Sequence, residues 1–104
     1  MKVMVRAIMK FIPGKMAEGM KLLNESIAMA NKKYGPIPNM KKYTPWVGGG
    51  NAINTVITEM EWESFTQMAE FFEKSYADPE MMKTMPKWET ILESEKEELY
   101  MVMP

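Results

Sequence analysis

Four side chains combine a reactive type with a position suited to handling a small molecule: Trp62, Asn54, Arg6 and Tyr43. A tryptophan stacks on flat molecules and donates its indole N–H to a carbonyl or phenolate. Beside a helix start, the same residue serves equally well as packing for the helix cap. Arg6 is the only arginine and lies within an apolar stretch, on its half-polar face. It either holds a substrate carboxylate or a developing enolate or peroxide charge, or it pairs with Glu59 or Glu61 on a neighbouring strand. Asn54 presents both a donor and an acceptor, whereas Asn51, beside Gly48, Gly49 and Gly50, reads more simply as a turn residue. Tyr43 and Trp46 flank the same glycine run and suit either a pocket mouth or an interface.

The composition narrows what these residues can be part of. With 104 residues, 46% hydrophobic and 26% charged, the chain has the makeup of one soluble globular domain spanning residues 1–104. It contains no cysteine and no histidine, which removes thiol nucleophiles, imidazole bases, and thiolate or histidine metal and haem sites. No cofactor and no metal are therefore expected. A net charge of −1 gives no concentrated basic face for nucleic acid. Lys and Arg break every apolar run well short of the ~20 residues of a membrane span. The first residues lack the order of a signal peptide, and a cytoplasmic location is the default expectation.

The elements that must position these residues follow from periodicity. Val3, Val5, Ala7, Met9 and Phe11 form an apolar face at period two, opposite Met4, Arg6, Ile8 and Lys10, so Lys2 to Ile12 reads as a central strand. Pro13-Gly14-Lys15 opens a helix with Met16, Met20, Leu23, Ile27, Ala30 and Tyr34 on one stripe, ended by Gly35-Pro36. Met40 to Val47 reads as an edge strand weakened by Pro45. Ala52 to Trp62 reads as a third strand with Asn54 inside it. Ser64 and Gln67 form a capping box for a helix with Phe65, Met68, Ala69, Phe72 and Tyr76 on its stripe. Asp78 is a natural N-cap for a further segment carrying Met81, Met82, Met85, Trp88, Ile91 and Leu92, which Pro86 should kink or split. Glu93 to Glu98 reads as a solvated charge run, and Leu99 to Met103 as a short last strand.

The resulting order, β-α-β-β-α-β, is the α+β ferredoxin-like arrangement with a four-stranded antiparallel sheet. Two helices cover only one face of such a sheet. The other would expose Met4, Ile8 and either Ile53 and Ile57 or Val56 and Met60, which predicts a homodimer joined through that sheet face. Fourteen methionines make either an adaptable apolar wall or ordinary core filler. Met20, Phe65, Met68, Phe72 and Trp88 are the expected lining of an apolar small-molecule pocket between helices and sheet.

Pro13-Gly14-Lys15, Gly50-Asn51, Glu61-Trp62-Glu63-Ser64 and Asp78-Pro79-Glu80, in this order and spacing, resemble the dimeric α+β barrel superfamily. Within it, the similarity is to the NIPSNAP-like and antibiotic-biosynthesis-monooxygenase-like branches, and it runs over nearly the whole chain. The resemblance implies a barrel made by two copies, and activities that include cofactor-free oxygenation of aromatic substrates, isomerisation and haem degradation. Haem degradation in such proteins looks to a histidine, a first-strand asparagine and a tryptophan. Trp62 matches the last, but Arg6 and Ala7 stand where the asparagine is expected, and the histidine is missing. Tyr76 is the tyrosine nearest the region of an iron ligand, with nothing to favour it in that role. The expectation is a protein that binds a flat apolar molecule, either as a cofactor-free monooxygenase or isomerase, with Trp62 and Asn54 orienting the substrate and Arg6 or Tyr43 near developing charge, or as a non-catalytic ligand-binding or assembly module.

Overall fold

The computed structural model describes residues 1–46 and 53–104, so Val47, the glycine run, Asn51 and Ala52 lie outside the described residues. The element order is β1 (Val3–Phe11), α1 (Met16–Tyr34), β2 (Lys41–Tyr43), β3 (Thr55–Trp62), α2 (Phe65–Ala77), α3 (Pro79–Met82), α4 (Met85–Ile91) and β4 (Leu92–Met101). The strands form one antiparallel sheet in the order β2-β3-β1-β4. This is the expected α+β ferredoxin-like fold.

β1 shows how the fold is built. Its residues alternate between buried and half-buried along the whole strand. Odd positions face the helices. Val3 and Val5 pack with Trp62 and Met68, while Met9 and Phe11 pack with Leu22, Leu23, Val56 and Ile91. Even positions face away, where the register sets Met4 against Glu61, Arg6 against Glu59 and Ile8 against Ile57. The Cα extents of 37 × 35 × 17 Å are those of one sheet under one helical layer. Among the described residues, nothing covers the second face.

The local signals for the helices act as their chemistry requires. The Ser64 hydroxyl accepts the Gln67 N–H at 3.2 Å, starting α2. Asp78 caps α3 by accepting the N–H groups of Glu80 and Met81 at 2.9 and 3.4 Å. It also receives the Tyr34 hydroxyl at 2.5 Å and the Lys33 ammonium at 2.9 Å, tying the end of α1 to the α2–α3 junction. These donors hold its carboxyl well below the usual range, the Tyr34 hydrogen bond contributing most. Pro86 lies at the start of α4, so the second helical region is split into three pieces.

Four expectations are corrected. α1 begins at Met16 after a Pro13–Gly14 turn in which Gly14 takes φ +86°, instead of using Pro13 in its first turn. β2 has three residues, because little of its edge finds a partner beyond the pairing with β3. Asn54 precedes β3 in a turn at φ +62°, a left-handed conformation that asparagine tolerates, and its carbonyl accepts the Phe11 N–H at 2.8 Å. The Glu-rich run is solvent-exposed, as read, but it belongs to the last strand: Leu92 to Met101 forms one ten-residue strand hydrogen-bonded to β1. Its ladder holds it in place despite the charges. The uncovered face takes Ile57 with Met4 and Ile8, whereas Val56 is buried on the helix side and Ile53 sits in the turn.

Gly19 is where α1 meets the sheet most closely. A Cβ added there would overlap the ring of Phe11, which is fully buried and stacked on Trp88 at 6.3 Å. Alanine gains about 1 kcal/mol of helix propensity over glycine. Overpacking a core typically costs about 1–3 kcal/mol, and a ring that cannot retreat puts this site at the upper end. Gly19→Ala should therefore lower the urea midpoint of unfolding; an unchanged or raised midpoint would show that the α1–Phe11 contact is looser than described.

Candidate functional site

The sequence candidates fall into three places. On the open sheet face, the Arg6 Nε and Nη2 donate to Glu59 Oε2 at 3.1 and 2.8 Å. The guanidinium carbon also lies 5.6 Å from the centre of the Tyr100 ring. Tyr43 of β2 sits on the same face near Glu59, whose charge acts on it, and the Tyr100 hydroxyl donates to Glu98 at 2.9 Å. A polar band thus crosses all four strands, Tyr43–Glu59–Arg6–Tyr100–Glu98. Arg6 holds the Glu59 carboxyl below its ordinary range, and the neighbouring carboxylates raise Tyr43 and Tyr100. Since Arg6 already has its acceptor, a ligand carboxylate would have to compete with Glu59.

The second place is the core. Trp62 is 5% exposed, with its ring 5.4 and 5.6 Å from those of Phe71 and Phe72. Met20 and Trp88 pack against the Phe11 cluster, away from Met68 and Phe72 in the Trp62 cluster. Phe65 points outward at 58% exposure, and Asn54 is in its turn before β3. The four residues singled out for chemistry are therefore not gathered around one cavity.

The third place is a groove of about 390 Å³ between α2 and β4. Its lining is Met68, Phe72 and Tyr76, spaced four apart on α2, with Val5 of β1 and Glu97, Glu98 and Leu99 of β4. The groove exists because β4 is an edge strand whose helix-side face α2 only partly covers, leaving Leu99 52% exposed. Its volume falls within the ~300–1,000 Å³ range of small-molecule sites. A hollow of about 410 Å³ between α1 and α4 is walled by Glu18, Lys21, Glu25 and Lys87, charges of both signs that suit solvent better than an apolar guest.

Met68 and Phe72 were legible as apolar stripe positions; Glu97 and Leu99 were not. A register shift beside Lys10 and Phe11 offsets β4, so that Glu95 and Glu97 lie opposite Met9 and Ala7 on the helix side. Period-two spacing of Glu95, Glu97, Leu99 and Met101 was the available signal. Partial burial, then the negative charge of Glu97, pushes the Glu95 carboxyl up; burial, then both carboxylates, raises Tyr76. Among the described residues, no group of three His, Cys, Asp or Glu side chains is placed to hold a metal ion. No helix there is long and apolar enough to cross a membrane.

No family model matches the sequence, and no curated protein matches it. Solved structures do. A NIPSNAP family protein from Agrobacterium tumefaciens is 21% identical, with a TM-score of 0.81 over 99% of this chain and 94% of that one. A NIPSNAP domain protein from Burkholderia xenovorans is 18% identical, with a TM-score of 0.71 over 99% and 95%. SnoaB from Streptomyces nogalater, a cofactor-independent oxygenase, is 12% identical, with a TM-score of 0.66 over 99% and 94%. The chain shares the fold of NIPSNAP proteins and of a cofactor-independent oxygenase, as the sequence resemblance implies.

The polar band yields a prediction with a definite sign. Because Glu59 titrates lower when folded, its pairing stabilises the protein above the ordinary glutamate pKa of about 4.3 and is lost as pH falls through the lowered value. Arg6→Met should cost no more than ~1 kcal/mol at pH 7, because the pair is partly exposed. The two proteins should then converge as acid protonates Glu59 below its lowered pKa. Urea midpoints at pH 7 and in an acid series test this, and a gap that persists or widens in acid would assign the loss to packing.

Proposed function

We propose that the protein is a small-molecule-binding subunit of the cytoplasm that pairs with a second copy through its open sheet face and holds a flat, largely apolar guest in the α2–β4 groove. The groove is the observation that carries the binding reading. Met68, Phe72 and Tyr76 of α2, with Val5 and Leu99, give it an apolar and aromatic lining, and Met68 supplies an adaptable surface.

Area supports the pairing. The chain exposes 7035 Å², roughly 1,000 Å² above the ~6,000 Å² expected of a compact monomer of this mass. A standard interface removes about 800 Å² from each partner. The open face is also self-complementary in charge, with Lys10, Lys41 and Lys96 interspersed with Glu59, Glu61 and Glu98 around Met4, Ile8 and Ile57.

Binding is favoured over catalysis because Trp62, Asn54, Arg6 and Tyr43 do not converge on the groove. The cofactor-free oxygenase reading rests on the likeness to SnoaB, and Tyr76 beside Glu95 and Glu97 is the feature that would serve proton transfer within it.

Two measurements test the proposal. Sedimentation equilibrium at micromolar concentration should give twice 12.1 kDa, and Ile8→Glu should give the monomer; a monomeric wild type would remove the pairing. Anthrone at a hundred times its Kd should stabilise the fold by about 2.7 kcal/mol, visible as a raised melting temperature. Leu99→Trp, which fills the groove from an exposed position, should abolish that shift. Sustained oxygen uptake with anthrone would move the assignment from binder to oxygenase.

A further inference from the structure

The charge of the groove says more about its guest than its shape does. β4 carries several carboxylates, and those on the open side are matched. Glu93 meets the Lys10 ammonium at 3.2 Å, and Glu98 meets Lys96 at 3.5 Å as well as the Tyr100 hydroxyl. Glu95 and Glu97 face the helices, and among the described residues neither has an ion pair with a lysine or arginine. No lysine or arginine lines the groove either. Its far wall is aromatic: the Phe72 and Tyr76 rings stack at 6.1 Å with an interplanar angle of 23°.

We propose that the groove selects a flat aromatic molecule bearing an ammonium group, with its ring against Phe72, Tyr76 and Leu99 and its cation against Glu97, whose neighbour Glu95 on the same side of β4 adds to the negative potential. This rests on the groove being the binding site and adds the chemical class of its guest. Three physical effects converge on a cation. Glu95 and Glu97 repel each other, and a positive charge held in the groove beside Glu97 relieves that repulsion. An ammonium donates charge-assisted hydrogen bonds to carboxylate oxygens. The faces of Phe72 and Tyr76 attract a cation and disfavour an anion. A carboxylate-bearing guest, such as a fatty acid or an aromatic acid, meets the opposite balance, with added repulsion and no cationic partner.

Three probes of nearly equal size separate these outcomes on the intact protein: 2-naphthylmethylammonium, 2-naphthylmethanol and 2-naphthoate. Calorimetric titration should find the ammonium compound at least tenfold tighter than the alcohol, with the naphthoate weakest. Glu95→Gln/Glu97→Gln, both at exposed positions, should erase the preference for the cation while leaving the affinity for the alcohol within about twofold. Naphthoate binding as tightly as the ammonium compound, or a preference that survives the double substitution, would overturn the cation selection. In either case the groove would stand, provided Leu99→Trp still abolishes binding of the alcohol. If no probe binds, or if Leu99→Trp leaves every affinity unchanged, the groove itself is not the site and the selection fails with it.

Discussion

A four-stranded sheet has two faces, and the helices of this chain lie on one of them. β1 carries that asymmetry residue by residue, with its odd positions sealed beneath the helices and its even positions half open. Everything else in the molecule adjusts to this. The helix-side residues of β3 and β4 take the parity that β1 imposes through the ladder, and α1 comes down on Phe11 closely enough that only a glycine fits at position 19.

The two faces have consequently acquired different chemistry. The helix side is apolar apart from the buried Thr58 up to the rim of β4, where coverage runs out and the groove begins. The open side is neither greasy nor simply charged. Its polar band satisfies Arg6, Glu59, Tyr100 and Glu98 across β3, β1 and β4, and Met4, Ile8 and Ile57 flank it. Such a surface suits a partner that presents the same pattern in reverse, because charged groups remain paired as water leaves only where the opposing charges match.

β4 gives the groove its character. One irregularity beside Phe11 sets which of its side chains look toward the helices, and so turns an acidic stretch that reads as solvent-facing into a strand with Glu95, Glu97 and Leu99 on the helix side. The energetics favour this despite the charges. Backbone pairing along most of β1 holds the strand, and the exposed carboxylates keep enough water to stay ionised or to share protons at modest cost.

Much of this architecture was legible from the sequence. The alternation in β1, the stripe of α1, the serine and aspartate caps and the split at Pro86 are local patterns, in which side chains a few residues apart report on one element. Met68 and Phe72 were legible for the same reason. Asn54 was not, because its left-handed turn is stabilised by a hydrogen bond from Phe11, more than forty residues away. Neither was the length of β4, whose side chains argue for solvent while its backbone is committed to β1. The chain's own letters therefore determined the elements, their order and the residue types available for chemistry. The tertiary structure alone decided which of them share a face, buried Trp62 among phenylalanines, gave Arg6 to Glu59 and turned Glu97 toward α2. Those outcomes depend on register between distant strands, which no local periodicity encodes.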